Sequence, residues 1–431
     1  MARPTNKRRP PDRRPKPQRR RPWWIFALAV PVAGALVVAV ILIADYTSED
    51  STTTTAFAPP TTRVVPTAPT APPITQPASL PEGWSTVPAA PGGSRTQHDA
   101  LWTGTEMIVV GGSPQPGTAA NPAVEAFNPA TDEWRTIGET PHPYTSASAV
   151  WTGTEIIVWG GETAWNTGPA TATGARLDPA TGVWDTTAPT QLRPRSDHLA
   201  VWTGTEMIVW GGRTISSGFY VNRFDGAAYD PATDTWRPIA DAPLEIIPVA
   251  GGAGLWTGET FIVWGFPADG GPDTDPEGMA YDPVSDEWTE IAASGLGFGY
   301  FESAWTGSEL LVVGGTPDLE FVAMRYDPAA DSWRGARNPP GDFRQDHTVT
   351  ATEDGGAIVV GGDRNVAFGP VEAPIVYDGA RWSFIADAPI ANLVGHTSVW
   401  TGESLIVFGG HGGSGPTVLD YGYIWTPPPA G

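Results

Sequence analysis

From residue 82 onward, short apolar runs alternate with polar turn residues at a spacing that fits strands and leaves no room for long helices. MIVV (107–110), IIVW (156–159), MIVW (207–210) and LIVF (405–408) are each four residues long and apolar at every position, as expected of a strand covered on both faces. Each follows a second apolar run that ends in Trp, with a Thr-Gly pair between them to supply the positive φ of a tight hairpin turn. The unit recurs as LWTGTEMIVVGG ending at Gly112, VWTGTEIIVWGG at Gly161, VWTGTEMIVWGG at Gly212, LWTGETFIVWGF at Phe266, AWTGSELLVVGG at Gly315, TEDGGAIVVGG at Gly362 and VWTGESLIVFGG at Gly410. These seven copies lie 47 to 54 residues apart.

A second hairpin follows each of the first six copies: FNPATDEW (127–134), LDPATGVW (177–184), YDPATDTW (229–236), YDPVSDEW (281–288), YDPAADSW (326–333) and the shortened YDGARW (377–382). Pro fixes φ in that turn and the leading Asp accepts backbone amides. The seventh copy is split. The chain ends in YGYIWTPPPAG without a following Trp, and the missing strand stands at the start as EGWSTV around Trp84. Each repeat predicts one four-stranded antiparallel unit, strands a to d, that must stack on its neighbours to bury both faces. Seven such units predict an all-β propeller closed by an N-terminal strand.

The Gly-Gly pair after the second strand, the aromatic after it and the Trp one hairpin later resemble the kelch-repeat family, over residues 82–431. The resemblance implies a seven-bladed kelch-like β-propeller and leaves activity open, since that family includes adaptors, a copper oxidase and a sialic acid mutarotase. The copper chemistry is excluded here: it depends on a Tyr-Cys crosslink, and the chain has no Cys.

Ahead of the propeller, residues 1–22 carry ten Lys/Arg and read as a disordered basic tail. Residues 23–44 are apolar without a charge, long enough at ~33 Å to span a bilayer. No small-x-small cleavage site follows, so the segment reads as an uncleaved signal anchor rather than a signal peptide. Positive residues on its N-terminal side put the tail in the cytoplasm and the propeller outside. Residues 45–81 form a Thr/Pro-rich stalk, with ten Thr and eight Pro between 47 and 81. The expected location is therefore the cell membrane, single-pass, with a cell-envelope protein or glycan as partner.

Composition narrows the chemistry. Beyond residue 22 the chain holds 15 Arg against 46 Asp/Glu, a net charge of −31, which argues against nucleic acid. Eighteen Trp lie beyond the apolar span, and sixteen occupy repeat positions that predict packing between blades. Trp165, in a variable loop, is the one candidate for stacking on a sugar. In the loop 267–278, Asp269, Asp273, Asp275 and Glu277 have oxygen spacing that Ca²⁺ could use, without a complete loop motif. No cofactor is implied.

One constellation stands apart. Arg95-Thr-Gln-His98, Arg195-Ser-Asp-His198 and Arg344-Gln-Asp-His347 recur at the start of the first strand of blades 1, 3 and 6, and His396 holds the same place in blade 7. First strands line a propeller's channel, so these residues, with Arg213, Arg364 and His411 just past the Gly-Gly pairs, predict either internal braces or an anion-selecting mouth. The expected function is a membrane-anchored binding module. The second reading is an enzyme of hydrolase, lyase or mutarotase type acting on a sugar or small anion at that mouth, although no catalytic motif is present.

Overall fold

The computed structural model describes residues 81–428, apart from short stretches at 116, 143, 217–218, 249–253, 271–273, 298, 317, 365–370, 372, 391 and 413–416. The basic tail, the apolar span 23–44 and the stalk up to residue 80 lie outside the described residues. Among the described residues no helix is long and apolar enough to cross a membrane.

The closing strand β1 (Gly83–Val87) comes first. Blade 1 is β2 (Thr96–Trp102), β3 (Met107–Ser113), β4 (Ala123–Asn128) and β5 (Glu133–Glu139); blade 2 is β6 (Ser148–Trp151), β7 (Ile156–Trp159), β8 (Gly174–Asp178) and β9 (Val183–Thr186). Blade 3 is β10 (Leu199–Trp202), β11 (Met207–Trp210), β14 (Gly226–Asp230) and β15 (Thr235–Pro238), with a separate two-stranded hairpin, β12 (Arg213–Ser216) and β13 (Phe219–Asn222), inserted between its second and third strands. In blade 4 the first strand is broken into β16 (Ile246–Pro248) and β17 (Gly254–Trp256), both paired with β18 (Phe261–Pro267), ahead of β19 (Glu277–Asp282) and β20 (Glu287–Glu290). Blade 5 is β21 (Tyr300–Trp305), β22 (Leu310–Gly315), β23 (Phe321–Asp327) and β24 (Ser332–Gly335); blade 6 is β25 (Gln345–Ala351), β26 (Ala357–Asp363), β27 (Ile375–Tyr377) and β28 (Trp382–Phe384). Blade 7 is β29 (Leu393–Trp400), β30 (Leu405–Gly412), β31 (Gly422–Thr426) and finally β1, antiparallel to β31 with Trp84 opposite Trp425.

The core is a ring of seven apolar seams, one between each pair of neighbouring blades. Met107, Val109 and Phe127 of blade 1 pack on Val399, Ile406 and Phe408 of blade 7, which closes the circle. Second strands are buried along their apolar runs, as their composition requires. Trp159, Trp210 and Trp264, each at most 1% exposed, face the fourth-strand Trp236, Trp288 and Trp333 of the following blade at centroid distances of 5.7, 5.8 and 5.6 Å. Such aromatic pairs are worth about 0.5–1.5 kcal/mol beyond their buried area. The indole N–H of those fourth-strand residues donates backward to the preceding blade: Trp236 to the Ala188 carbonyl at 3.0 Å, Trp288 to Ala240 at 2.9 Å and Trp84 to Ala386 at 3.2 Å.

One end of the ring is built from the short turns. There the turn Glu of the first hairpin is clamped by an Arg of the outer strands: Glu106 by Arg135, Glu155 by Arg176, Glu206 by Arg237, and Glu309 by both Arg325 and Arg334. The other end carries the long second-to-third-strand loops and the connections between blades, and it is where the candidate site residues gather.

Candidate functional site

In blades 1, 3 and 6 the residue just before the histidine is left-handed: Gln97 (φ 55°), Asp197 (φ 52°) and Asp346 (φ 56°). In blade 1 the register skips across it, pairing Thr96 with Ser113 and then His98 with Gly111. Arg and His thereby flank a kink, and the guanidinium groups are inside the protein rather than in the mouth. Arg95, Arg195 and Arg344 are all 0% exposed. Arg95 donates to Glu125 Oε2 at 2.5 Å and to the Ala123 carbonyl at 3.0 Å, with Gly92 leaving the room that the pair fills. Arg195 Nη2 donates to both carboxylate oxygens of Asp225, at 2.9 and 3.0 Å, and its Nη1 donates to the Gly211 carbonyl at 2.9 Å. Arg344 lies over the Phe321 ring at 5.2 Å and reaches the Gly361 carbonyl at 3.4 Å. Burial pulls the Arg95 and Arg195 guanidinium groups down from their ordinary range, and Glu125 and Asp225 oppose it. Arg95 and Arg195 tie the start of the first strand to the third strand of their blades, and Arg344 ties it to the second strand and to Phe321 of blade 5.

The histidines are wedges between blades. A side chain on Gly160 would meet His198 Cε1 at 2.6 Å, one on Gly361 would meet His396 Cε1 at 2.6 Å, and one on Gly409 would meet His98 Cε1 at 2.7 Å. The first Gly of the Gly-Gly pair is therefore fixed twice, by its left-handed φ of 71°, 66° and 65° and by the imidazole of the next blade. His98 Nε2 meets Thr397 Oγ1 at 2.8 Å, His396 Nε2 meets Thr348 Oγ1 at 3.0 Å and His347 Nε2 meets the Val313 carbonyl at 3.2 Å. Burial pushes His198 and His347 down to about 3 and His396 to about 4, so the imidazoles are neutral.

What the mouth does present is different. Arg213 pairs with Asp197 at 2.7 Å and stacks on Tyr220 at 4.0 Å; Arg364 pairs with Asp342 at 2.6 Å. His411 is half-buried beside Gly412 and bridges to Val418. Glu162, 2% exposed, accepts from Ser196 Oγ at 2.7 Å and from the Asn166 amide at 2.8 Å, and burial raises its carboxyl above the usual range. Two carboxyls line the channel wall itself. Asp99 is pushed up to about 7 by desolvation, and Glu302 is held well above the carboxylate range by burial and then by Asp346. Sequence reasoning passed over both, because each stands at a repeat position that its neighbours fill with Ser, Thr or Leu.

Trp165 is 8% exposed, so its ring is packed inside the blade 2 loop and is no platform for a sugar. In the acidic loop, Asp273 lies outside the described residues, and Asp275 accepts the Gly297 amide at 3.1 Å. Among the described residues no group of His, Asp and Glu is placed to hold a metal ion.

The hairpin of β12 and β13 was not foreseen as strands. Opposite residues share a face, so Arg213, Ile215, Tyr220 and Asn222 look one way and Thr214, Phe219 and Val221 the other. Tyr220 is anchored by Arg213 and by a 3.4 Å bond to Asn166 of the blade 2 loop. Phe219 is 69% exposed, Tyr220 46%, Ile215 38% and Val221 37%.

The fold and these repeat positions agree with what comparison of the sequence shows. The family model of the KLHDC2/KLHL20/DRC7 Kelch-repeats domain matches residues 97–315, just over half the chain. No curated protein matches it. With its Gly-Gly pairs wedged by the next blade and its tryptophans locking the seams, the chain belongs to the Kelch-repeat domain family.

Proposed function

We propose that the protein is a membrane-anchored, extracytoplasmic scaffold whose variable face binds a cell-envelope protein. Kelch propellers typically serve as protein-binding modules, and the observation that carries the reading here is the blade 3 hairpin. Four of the ten exposed large apolar side chains among the described residues, Ile215, Phe219, Tyr220 and Val221, sit on it. Tyr300, Leu319 and Tyr421 add exposed apolar surface at the same end of the ring. Anchoring rests on the charge-free span 23–44 and its basic flank.

The second reading, an enzyme on a small substrate, draws support from Asp99 and Glu302, first-strand carboxyls that burial shifts toward the protonated form. The two readings separate experimentally. Full-length protein carrying Phe219→Ser with Tyr220→Ser should lose a partner that wild type and Val284→Ser, on the opposite face, both retain from envelope extracts. Retention by all three overturns the hairpin as the contact. A thermal-shift screen of sugars and sugar acids tests the enzyme reading, because a ligand at 100 times its dissociation constant adds ~2.7 kcal/mol of stability.

A further inference from the structure

Six of the seven channel-lining strands end in Trp just before the first hairpin turn: Trp102, Trp151, Trp202, Trp256, Trp305 and Trp400. Each packs against the seam beside its blade. Blade 6 breaks the rule. Its strand β25 ends in Ala351, and its turn is one residue longer, with the Thr352 amide bonding to the Gly356 carbonyl where Thr152 bonds to Glu155. The seam between blades 5 and 6 accordingly contains no tryptophan from a first strand.

The absent indole leaves an open pocket of about 270 Å³ lined by Trp305, Thr306, Ala351, Thr352, Glu353 and Trp400. It lies on the short-turn end of the ring, remote from the Arg/His positions and from the hairpin. The volume takes one side chain rather than a cofactor. Two of its walls are indoles, from blades 5 and 7. Glu353 stands over its edge, with Oε1 3.5 Å from where a Cβ on Gly402 would sit, so the carboxylate leans across the seam toward blade 7. In blades 1, 2, 3 and 5 a Glu just before the second strand is clamped by an Arg; in blade 6 that place is Gly356, the Glu stands earlier in the turn at 353, and among the described residues no Arg pairs with it. Residues 82–431 contain 14 Arg and no Lys against 43 Asp/Glu, so the long-range field also favours a cation.

Indole faces attract a cation through their quadrupole, and an unclamped carboxylate at the rim adds charge and a hydrogen-bond acceptor. We infer that this pocket receives one arginine or lysine side chain of a protein partner. The chemistry of the site stands by itself; the source of the side chain rests on the protein-binding reading above.

The test titrates the full-length protein with N-acetyl-arginine methylamide and with its neutral isostere, N-acetyl-citrulline methylamide, following heat and tryptophan emission. Saturable binding of the arginine probe, at least tenfold tighter than citrulline, is expected. Ala351→Trp restores the indole of the other blades and should abolish it. Glu353→Gln, at an exposed turn position, should weaken the arginine probe about tenfold while leaving the melting temperature and citrulline binding unchanged, which keeps the test sound even if Ala351→Trp misfolds. Equal binding of both probes, or arginine binding that neither substitution alters, overturns the inference. Vesicles of phosphatidylcholine are the control for a lipid source: capture that depends on Glu353, with no response to arginine, overturns the assignment to a protein side chain. Loss of partner capture with arginine binding intact would instead count against the protein-binding reading alone.

Discussion

Trp84 stands directly opposite Trp425 in the sheet that closes the ring, their ring centroids 6.4 Å apart. The two residues are 341 positions apart in the chain, and their strands supply the third and fourth members of one blade. Circular closure therefore depends on five residues, Gly83–Val87, that pair with β31 alone.

A chain that begins at residue 90 would leave β31 as an unpaired edge and would lose the Trp84 bond to blade 6. It should aggregate or melt without a single cooperative transition, whereas a chain beginning at residue 80 should melt as one unit. Equal melting curves for the two, measured by calorimetry, would remove β1 as a determinant of stability.

Arg95 is the second case. Replacing it by Gln leaves Glu125, itself 0% exposed, buried without its cation, and should cost about 3–5 kcal/mol in denaturant unfolding. Arg213→Gln breaks a partly exposed pair and should cost about 1 kcal/mol or less. If Arg95→Gln proves as mild as Arg213→Gln, the side chain is free for another task and the brace assignment fails.

The buried histidines make stability depend on pH in a definite direction. His198 titrates near 3 when folded and near 6.5 when unfolded, so between those values the unfolded chain takes up a proton that the folded chain refuses, and stability falls as pH drops. One such group contributes up to about 1.4 kcal/mol per pH unit. His198→Gln should reduce the slope of unfolding free energy against pH between about 4 and 6 by up to that amount.

Asp99 works with the opposite sign. Its folded value of about 7 lies above its unfolded one, so its contribution is complete below about pH 4 and is lost as pH rises toward 7. Asp99→Asn should make the rise of stability across that window steeper. Parallel pH profiles for wild type and Asp99→Asn would show that the channel leaves this carboxyl fully solvated.

The proposed anchor gives a prediction about orientation. Strand β1 starts at the short-turn end, so with the proposed anchor that face should lie toward the membrane and the variable face away from it. Because the chain has no Cys, single labels at Val284→Cys, 71% exposed in a short turn, and Phe219→Cys in the hairpin report independently. Quenching by lipid-borne probes should be stronger at position 284; stronger quenching at 219 would reverse the assignment.

The architecture was readable because the repeat announces itself. Six Gly-Gly pairs and the Gly265-Phe266 of blade 4 at nearly constant spacing, with Trp84 and Trp425 as the two halves of one copy, define blades and closure without any long-range information. The role of each charged side chain was not readable. The spacing of Arg95 and His98 is plain in sequence, but the left-handed Gln97 between them turns the guanidinium toward Glu125, thirty residues on. The clamps between Glu106 and Arg135 or Glu206 and Arg237 likewise join residues that meet only once strands are paired. Arg213–Ser216 and Phe219–Asn222 have strand-like composition, but they read as loop because no other repeat has a counterpart. Ala351 was visible as a departure from the repeat, yet the vacancy it creates belongs to the neighbours Trp305 and Trp400.

The strand that seals the propeller is also the one that follows directly on residues 1–80. Any tension arriving along the chain from residues 1–80 enters the ring at Gly83 and is borne first by the hydrogen bonds between β1 and β31 and by the Trp84 indole. Load and closure thus share a single row of bonds. A pull hard enough to strip Gly83–Val87 from the outer edge of blade 7 would open the ring at the seam against blade 1, while the remaining six blades keep all four of their own strands. The propeller has a built-in point of mechanical yield, and it lies where residues 1–80 lead into the ring.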